Sequence, residues 1–161
     1  MNGKPLVYLD SGASAQKPQV VINAVAHAYS HEYANVHRGL HYLSNLATDK
    51  YEAVRATVQR FLNAGHEDEI LFNSGTTEAI NLVSYGWAAP RMQPGDEIVL
   101  SVMEHHANIV PWHFLRERQG IKLVWVETAP DGSLDPQAVL EAITPRTRLV
   151  AITHMSNVLG T

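Results

Sequence analysis

The chain has 161 residues, 45% of them hydrophobic and 17% charged, which suits one ordinary globular domain and excludes a disordered chain. Twelve Lys and Arg against sixteen Asp and Glu give a net charge of -4, which argues against a nucleic-acid or anionic-membrane partner. With no cysteine, a disulfide, a thiolate metal site and a cysteine nucleophile are excluded within these residues, a composition consistent with a cytoplasmic setting.

No apolar run approaches the roughly 20 residues of a membrane span, and the first ten residues lack a signal peptide's long apolar stretch. Leu6-Val7-Tyr8-Leu9 is a short apolar run, followed by the small-residue turn Ser11-Gly12-Ala13-Ser14-Ala15. Pro18 suits a first helical turn, and Val20, Val21, Ala24, Ala28 and Tyr29 recur at helical spacing. Residues 33–42 are rich in His and carry Gly39, which predicts a connecting or functional loop. Ser44 is placed to cap a second helix, whose apolar stripe is Leu46, Tyr51, Val54, Val58, Phe61 and Leu62 and which ends near Gly65.

An alternating rhythm follows. Residues 69–72, 97–101, 121–126 and 149–153 are short apolar runs that predict four strands. Between them, residues 78–87, 108–119 and 135–143 predict helices, with Pro111 and Pro136 in first turns. Such alternation predicts an α/β fold with a parallel-type sheet and flanking helices. In these folds ligands collect at the carboxyl ends of the strands. That rule selects residues 74–78, 103–108 and 154–161, and all three segments carry unusual polar residues.

Ser74-Gly75-Thr76-Thr77-Glu78 opens a helix, where unpaired backbone N–H groups and the helix dipole attract anions. Gly75 permits close approach, and Thr76 and Thr77 add hydroxyl donors, so a phosphate fits. Ordinary helix capping by Ser74 or Thr76 is the alternative. The segment is neither a P-loop nor a dinucleotide turn. In Met103-Glu104-His105-His106-Ala107-Asn108 one imidazole is placed to stack on an aromatic ligand, or else the segment only caps and closes a loop. His31, His37 and His41 raise the question of zinc but lack H-E-x-x-H spacing, so no metal is expected. Arg38, next to Gly39, suits bidentate binding of a substrate carboxylate; a plain surface loop is the alternative. Asn157 supplies a donor and an acceptor at the presumed ligand edge, or is a turn residue. Ser11, Ser74 and Ser156 lack the G-x-S-x-G elbow of a serine hydrolase.

Five motifs occur together and in order: Tyr8-Leu9-Asp10-Ser11-Gly12-Ala13-Ser14-Ala15-Gln16-Lys17-Pro18, Val36-His37-Arg38-Gly39, Ser74-Gly75-Thr76-Thr77-Glu78, Met103-Glu104-His105-His106-Ala107-Asn108-Ile109-Val110-Pro111-Trp112, and Thr153-His154-Met155-Ser156-Asn157-Val158-Leu159-Gly160. Along its whole length the chain resembles the SufS-type (group II) cysteine desulfurases, class V aminotransferases of pyridoxal-phosphate fold type I. The resemblance implies a cytoplasmic enzyme that uses pyridoxal 5'-phosphate to convert L-cysteine to L-alanine. It implies that sulfur passes as a persulfide to a sulfur-acceptor protein for iron–sulfur cluster assembly, and that the full-length protein is a homodimer. It assigns Gly75, Thr76 and Thr77 to the phosphate, and the catalytic residue His105 to stacking on the pyridine ring. Asn157 falls near the cofactor's phenolic oxygen and the substrate carboxylate, and Ala13, His37 and Arg38 fall on the substrate side. Gly12 stands where many relatives have Ala.

The family's Schiff-base Lys, pyridine-pairing Asp and nucleophilic Cys follow the last of these motifs. Lys4, Lys17, Lys50 and Lys122 are all outside its Ser-x-His-Lys context. Residues 1–161 are therefore expected to be the N-terminal portion of the large cofactor-binding domain, and inactive by themselves. A selenocysteine lyase, an aminotransferase, a kynureninase-like hydrolase and a non-catalytic phosphate-ligand-binding domain remain the alternatives.

Overall fold

The computed structural model describes residues 2–161. They fall into two compact units that divide between Phe72 and Asn73.

In the first unit, the predicted helix after Pro18 is α1 (Gln19–His27), prolonged by a π-type turn over Ala28–Glu32. The second helix, α2 (Tyr42–Leu62), ends where Asn63 takes a left-handed conformation at φ 54. Its stripe forms as a helix face but packs only in part: Leu46 and Val58 are half-buried, while Tyr51, Val54, Phe61 and Leu62 are exposed. Ser44 does not cap α2. The helix begins two residues earlier, with His41 Nδ1 accepting the Ser44 N–H at 3.4 Å. The buried Ser44 hydroxyl instead donates to the Asn35 carbonyl at 2.6 Å and accepts the Gly39 N–H at 2.9 Å, tying the preceding loop down. Residues 69–72 are not a strand either. Glu67–Glu69 form a 3-10 turn, closed by His66 Nδ1 accepting the Asp68 N–H and by Glu69 accepting the His66 N–H. The Ile70 carbonyl that a strand partner would use takes the Arg55 guanidinium.

The second unit holds the sheet. Helix α3 (Thr76–Leu82) runs on through a π-type turn, Val83–Ala88, into α4 (Ala89–Arg91). Then come β1 (Glu97–Ser101), α5 (Val110–Gln119), β2 (Lys122–Val126), α6 (Pro136–Glu141) and β3 (Thr147–Ala151). Among the described residues three strands form, not four, all parallel, in the order β2-β1-β3. A strand paired on both edges and covered on both faces must be apolar throughout. Accordingly Ile98, Val99 and Leu100 of central β1 are fully buried. Ala88, Met92, Ile98, Leu100, Trp112, Leu115 and Ile121 make one core between sheet and helices. Full burial of each large side chain there contributes about 1.5–3 kcal/mol.

One irregularity sits at the start of β3. Glu97 pairs with Thr147 but Ile98 pairs with Leu149, so Arg148 is skipped. Its guanidinium reaches the buried Asp96 at 3.2 Å. Asp96 also accepts the Gln93 N–H at 2.9 Å; that bond first, and Arg148 after it, hold its carboxyl below the usual range against the opposing effect of burial.

Candidate functional site

Three polar segments of the second unit are linked in series. The first is the turn into α3. Its N-cap, Gly75, has φ 155, a backbone conformation open essentially only to glycine. A Cβ there would meet nothing within 4 Å, so the position leaves room beside the first-turn N–H groups of Thr76 and Thr77. Asn73 Oδ1 holds the Gly75 N–H at 3.0 Å. Glu78 accepts both the Ser74 hydroxyl, at 2.5 Å, and the Ser74 N–H, at 2.7 Å. Those bonds, the hydroxyl's foremost, keep the Glu78 carboxyl below its usual range.

The second loop leaves β1. His105 is exposed, and its Nδ1 accepts the Ala107 N–H at 3.0 Å, capping a 3-10 turn over His106–Asn108. With Nδ1 so used, a neutral His105 ring carries its proton on Nε2. His106 stands edge-on to it at 6.1 Å between ring centroids, so the two imidazoles do not converge on one ligand. The 3-10 turn packs against α3, which brings the first two loops together.

The third loop leaves β3. Ser156 is buried, and its hydroxyl accepts the N–H groups of Val158 and Leu159 at 3.3 and 3.2 Å. Asn157 is thereby held exposed on a tight turn. Asn108 joins this loop to the second by donating to the Ala151 carbonyl at 3.1 Å. So Gly75, Thr76 and Thr77 open a helix that packs against the 3-10 turn after His105, and Asn157 lies on the loop that Asn108 ties to that turn.

The other expected site residues lie in the first unit. Ala13 sits in a turn whose N–H groups at Ala13 and Ser14 reach the Asp10 carbonyl, and the Tyr8 hydroxyl donates to the Ser14 carbonyl at 2.5 Å. His37 has φ 66, uncommon for a residue with a Cβ, and its N–H donates to the Thr48 hydroxyl at 2.9 Å. Its ring lies 2.9 Å from the Glu52 carboxylate and edge-on to Tyr51. The adjacent Arg38 is exposed. Gly39 is needed sterically, since a Cβ there would lie 2.3 Å from the Ser44 Cβ.

The three histidines considered for zinc go to different partners: His31 stacks on His27 at 4.7 Å, His37 faces Glu52, and His41 caps α2. Among the described residues, no group of three His, Asp or Glu side chains is arranged to hold a metal, and no helix is long and apolar enough to cross a membrane.

The family model for class-V aminotransferases matches residues 7–161. The chain belongs to the class-V aminotransferase family. Within that family it is 55% identical, over all 161 residues, to a cysteine desulfurase of Klebsiella pneumoniae subsp. pneumoniae. It is 54% identical over 160 residues to a cysteine desulfurase of Pectobacterium carotovorum subsp. carotovorum. The chain spans 40% and 39% of the length of these two relatives. Among solved structures it matches the Escherichia coli cysteine desulfurase CsdA with a TM-score of 0.80 at 44% identity, over 96% of this chain and 39% of that one. It matches the apo cysteine desulfurase of Thermococcus onnurineus NA1 with a TM-score of 0.87 at 39% identity, over 96% and 38%. These neighbours place the α/β architecture of this class-V chain in pyridoxal-phosphate fold type I.

Two side chains that organise the class-V loops escaped the sequence reading. Glu104 is buried and is bonded to both β1 and the β3 exit, and buried Ser156 shapes the Asn157 turn. The one available signal was a carboxylate and a serine inside two motifs expected to face a ligand.

Proposed function

We propose that residues 1–161 are the N-terminal portion of the large domain of a pyridoxal-phosphate-dependent cysteine desulfurase. The observation that carries this reading is the 55% identity to a cysteine desulfurase along the entire chain. The linked loops that leave β1 and β3, with α3 packed against the first of them, support it, since strand ends are where such a fold receives a ligand. Pyridoxal 5'-phosphate, when bound, supplies the electron sink for chemistry at the substrate's α-carbon.

The chain's own residues supply the rest. Gly75 opens the backbone, and the N–H groups and hydroxyls of Thr76 and Thr77 hold the phosphate, aided by the helix dipole. Ser74 and Glu78 keep that turn in shape. The exposed His105 ring, its orientation set by the Ala107 N–H, would stack on the pyridine ring. The Asn157 amide offers a donor to the phenolic oxygen and the substrate carboxylate. Arg38 offers a planar fork for a carboxylate, while His37 and the small Ala13 shape the substrate side.

L-Cysteine leaves as L-alanine, and its sulfur forms a persulfide on a thiol that these residues do not contain. That sulfur passes to an acceptor protein for iron–sulfur cluster assembly, with the full-length protein a cytoplasmic homodimer. None of Lys4, Lys17, Lys50 and Lys122 is in the context of a cofactor-bearing lysine, so residues 1–161 by themselves are not expected to turn over.

Absorbance titration of the full natural protein with pyridoxal 5'-phosphate tests the cofactor assignment. Thr76→Val with Thr77→Val, and separately His105→Ala, are expected to weaken binding at least about tenfold, about 1.4 kcal/mol. Unchanged affinity in both variants would overturn it. Product analysis separates desulfuration, which yields alanine, from transamination, which yields a 2-oxo acid.

A further inference from the structure

Glu104 is a buried carboxylate to which the proposed reaction assigns no part, although it directly precedes His105. Its Oε1 accepts the Ser101 hydroxyl at 2.5 Å and the Thr153 N–H at 3.0 Å. Its Oε2 accepts the Asn108 side-chain N–H at 2.7 Å. Ser101 ends β1, Asn108 ends the 3-10 turn after His105, and Thr153 lies on the exit from β3 toward Asn157. One side chain thus ties both ends of the His105 loop to each other and to the Asn157 loop.

The direction of each bond is set by the next. Asn108 Oδ1 accepts the indole N–H of buried Trp112 at 3.0 Å, while Nδ2 also donates to the Ala151 carbonyl at 3.1 Å. Flipping the Asn108 amide would set donor against donor at Trp112 and acceptor against acceptor at Ala151. Nδ2 must therefore face Glu104, and Glu104 must accept at both oxygens. A glutamine has the same shape but puts an NH₂ on one of them. If it keeps the bonds at Oε1, its NH₂ faces the Asn108 NH₂.

We propose that Glu104 is a positioning residue that sets the His105 ring and the Asn157 amide relative to one another. This rests on the reading of those two residues as cofactor contacts. Glu104 touches neither cofactor nor substrate in this role. It acts through the loops, and displacements of about 1 Å at reacting groups cost up to about 10²-fold in rate.

The test uses the full natural protein with pyridoxal 5'-phosphate. Glu104→Gln is expected to fold and to bind the cofactor, with an altered visible circular-dichroism band. Its kcat with L-cysteine is expected to fall about 10–100-fold, with KM changed less than about threefold. Ser101→Ala removes one donor to Glu104 with little loss of volume, and is expected to change the band and kcat in the same sense but less. If Glu104→Gln does not fold, Ser101→Ala decides. An unchanged band and kcat in the folded Glu104→Gln protein, or in Ser101→Ala when it must stand alone, would overturn the role of Glu104 and leave the cofactor assignment standing. Failure of the unsubstituted protein to bind pyridoxal 5'-phosphate would instead overturn the assignment of His105 and Asn157, and this inference with it.

Discussion

The side-chain amide of Asn108 donates to the backbone carbonyl of Ala151 across 3.1 Å, joining the turn after β1 to the last residue of β3. The same side chain accepts the indole N–H of Trp112, which is buried in the core. Core packing and loop placement therefore share one amide. Asn108→Ala leaves the Trp112 N–H and the Ala151 carbonyl without this partner. It is expected to lower stability by about 1–3 kcal/mol, the usual cost of an unpaired buried polar group. Urea unfolding of the full natural protein, followed by Trp fluorescence, checks this; an unchanged midpoint would show that the bonds contribute nothing.

Gly75 separates backbone strain from steric crowding. At φ 155, with open space where a Cβ would go, Gly75→Ala introduces no clash but forces an unfavourable conformation. The expected loss is about 1–3 kcal/mol, relieved if the turn relaxes. Relaxation would move the Thr76 and Thr77 N–H groups, so affinity for pyridoxal 5'-phosphate is expected to drop even where stability is nearly kept. Paired thermal melts and cofactor titrations distinguish the two. Wild-type affinity in Gly75→Ala would remove the glycine's part in the phosphate turn.

Acid sensitivity follows from Asp96. The Gln93 N–H and then Arg148 hold its folded-state carboxyl below the usual range. A depressed folded value gives stabilisation that is complete above the unfolded value, about 4, and is lost as pH falls through the folded one. Asp96→Asn removes this contribution at neutral pH and flattens the decline below about pH 4. Urea midpoints measured against pH check it; parallel curves for both proteins would contradict it.

The sheet was legible because its strands are short apolar runs between unambiguous turns. β1, β2 and β3 all form within two residues of their predicted bounds. The run at residues 69–72 misled because apolarity alone does not provide a partner. The capped 3-10 turn before it and the Arg55 contact at Ile70 satisfy the backbone locally. Ser44 misled for a related reason: a cap is a competition among nearby acceptors, and His41 holds that place while the Ser44 hydroxyl serves the loop. The segments holding His105 and Asn157 do follow β1 and β3, as the strand-end rule expects, whereas the Thr76–Thr77 turn follows no strand and is joined to the His105 loop only through the packing of α3. Glu104 was not, because its partner Thr153 is remote in sequence and nothing local marks a carboxylate as buried.

The most direct test of the central claim is the product formed from L-cysteine by the full natural protein loaded with pyridoxal 5'-phosphate. Alanine should appear one for one with cysteine consumed, far faster than with the free cofactor, with the sulfur recoverable from a protein persulfide or as sulfide on adding a thiol. Conversion of cysteine to a 2-oxo acid, or alanine formed no faster than with free pyridoxal 5'-phosphate, would contradict it.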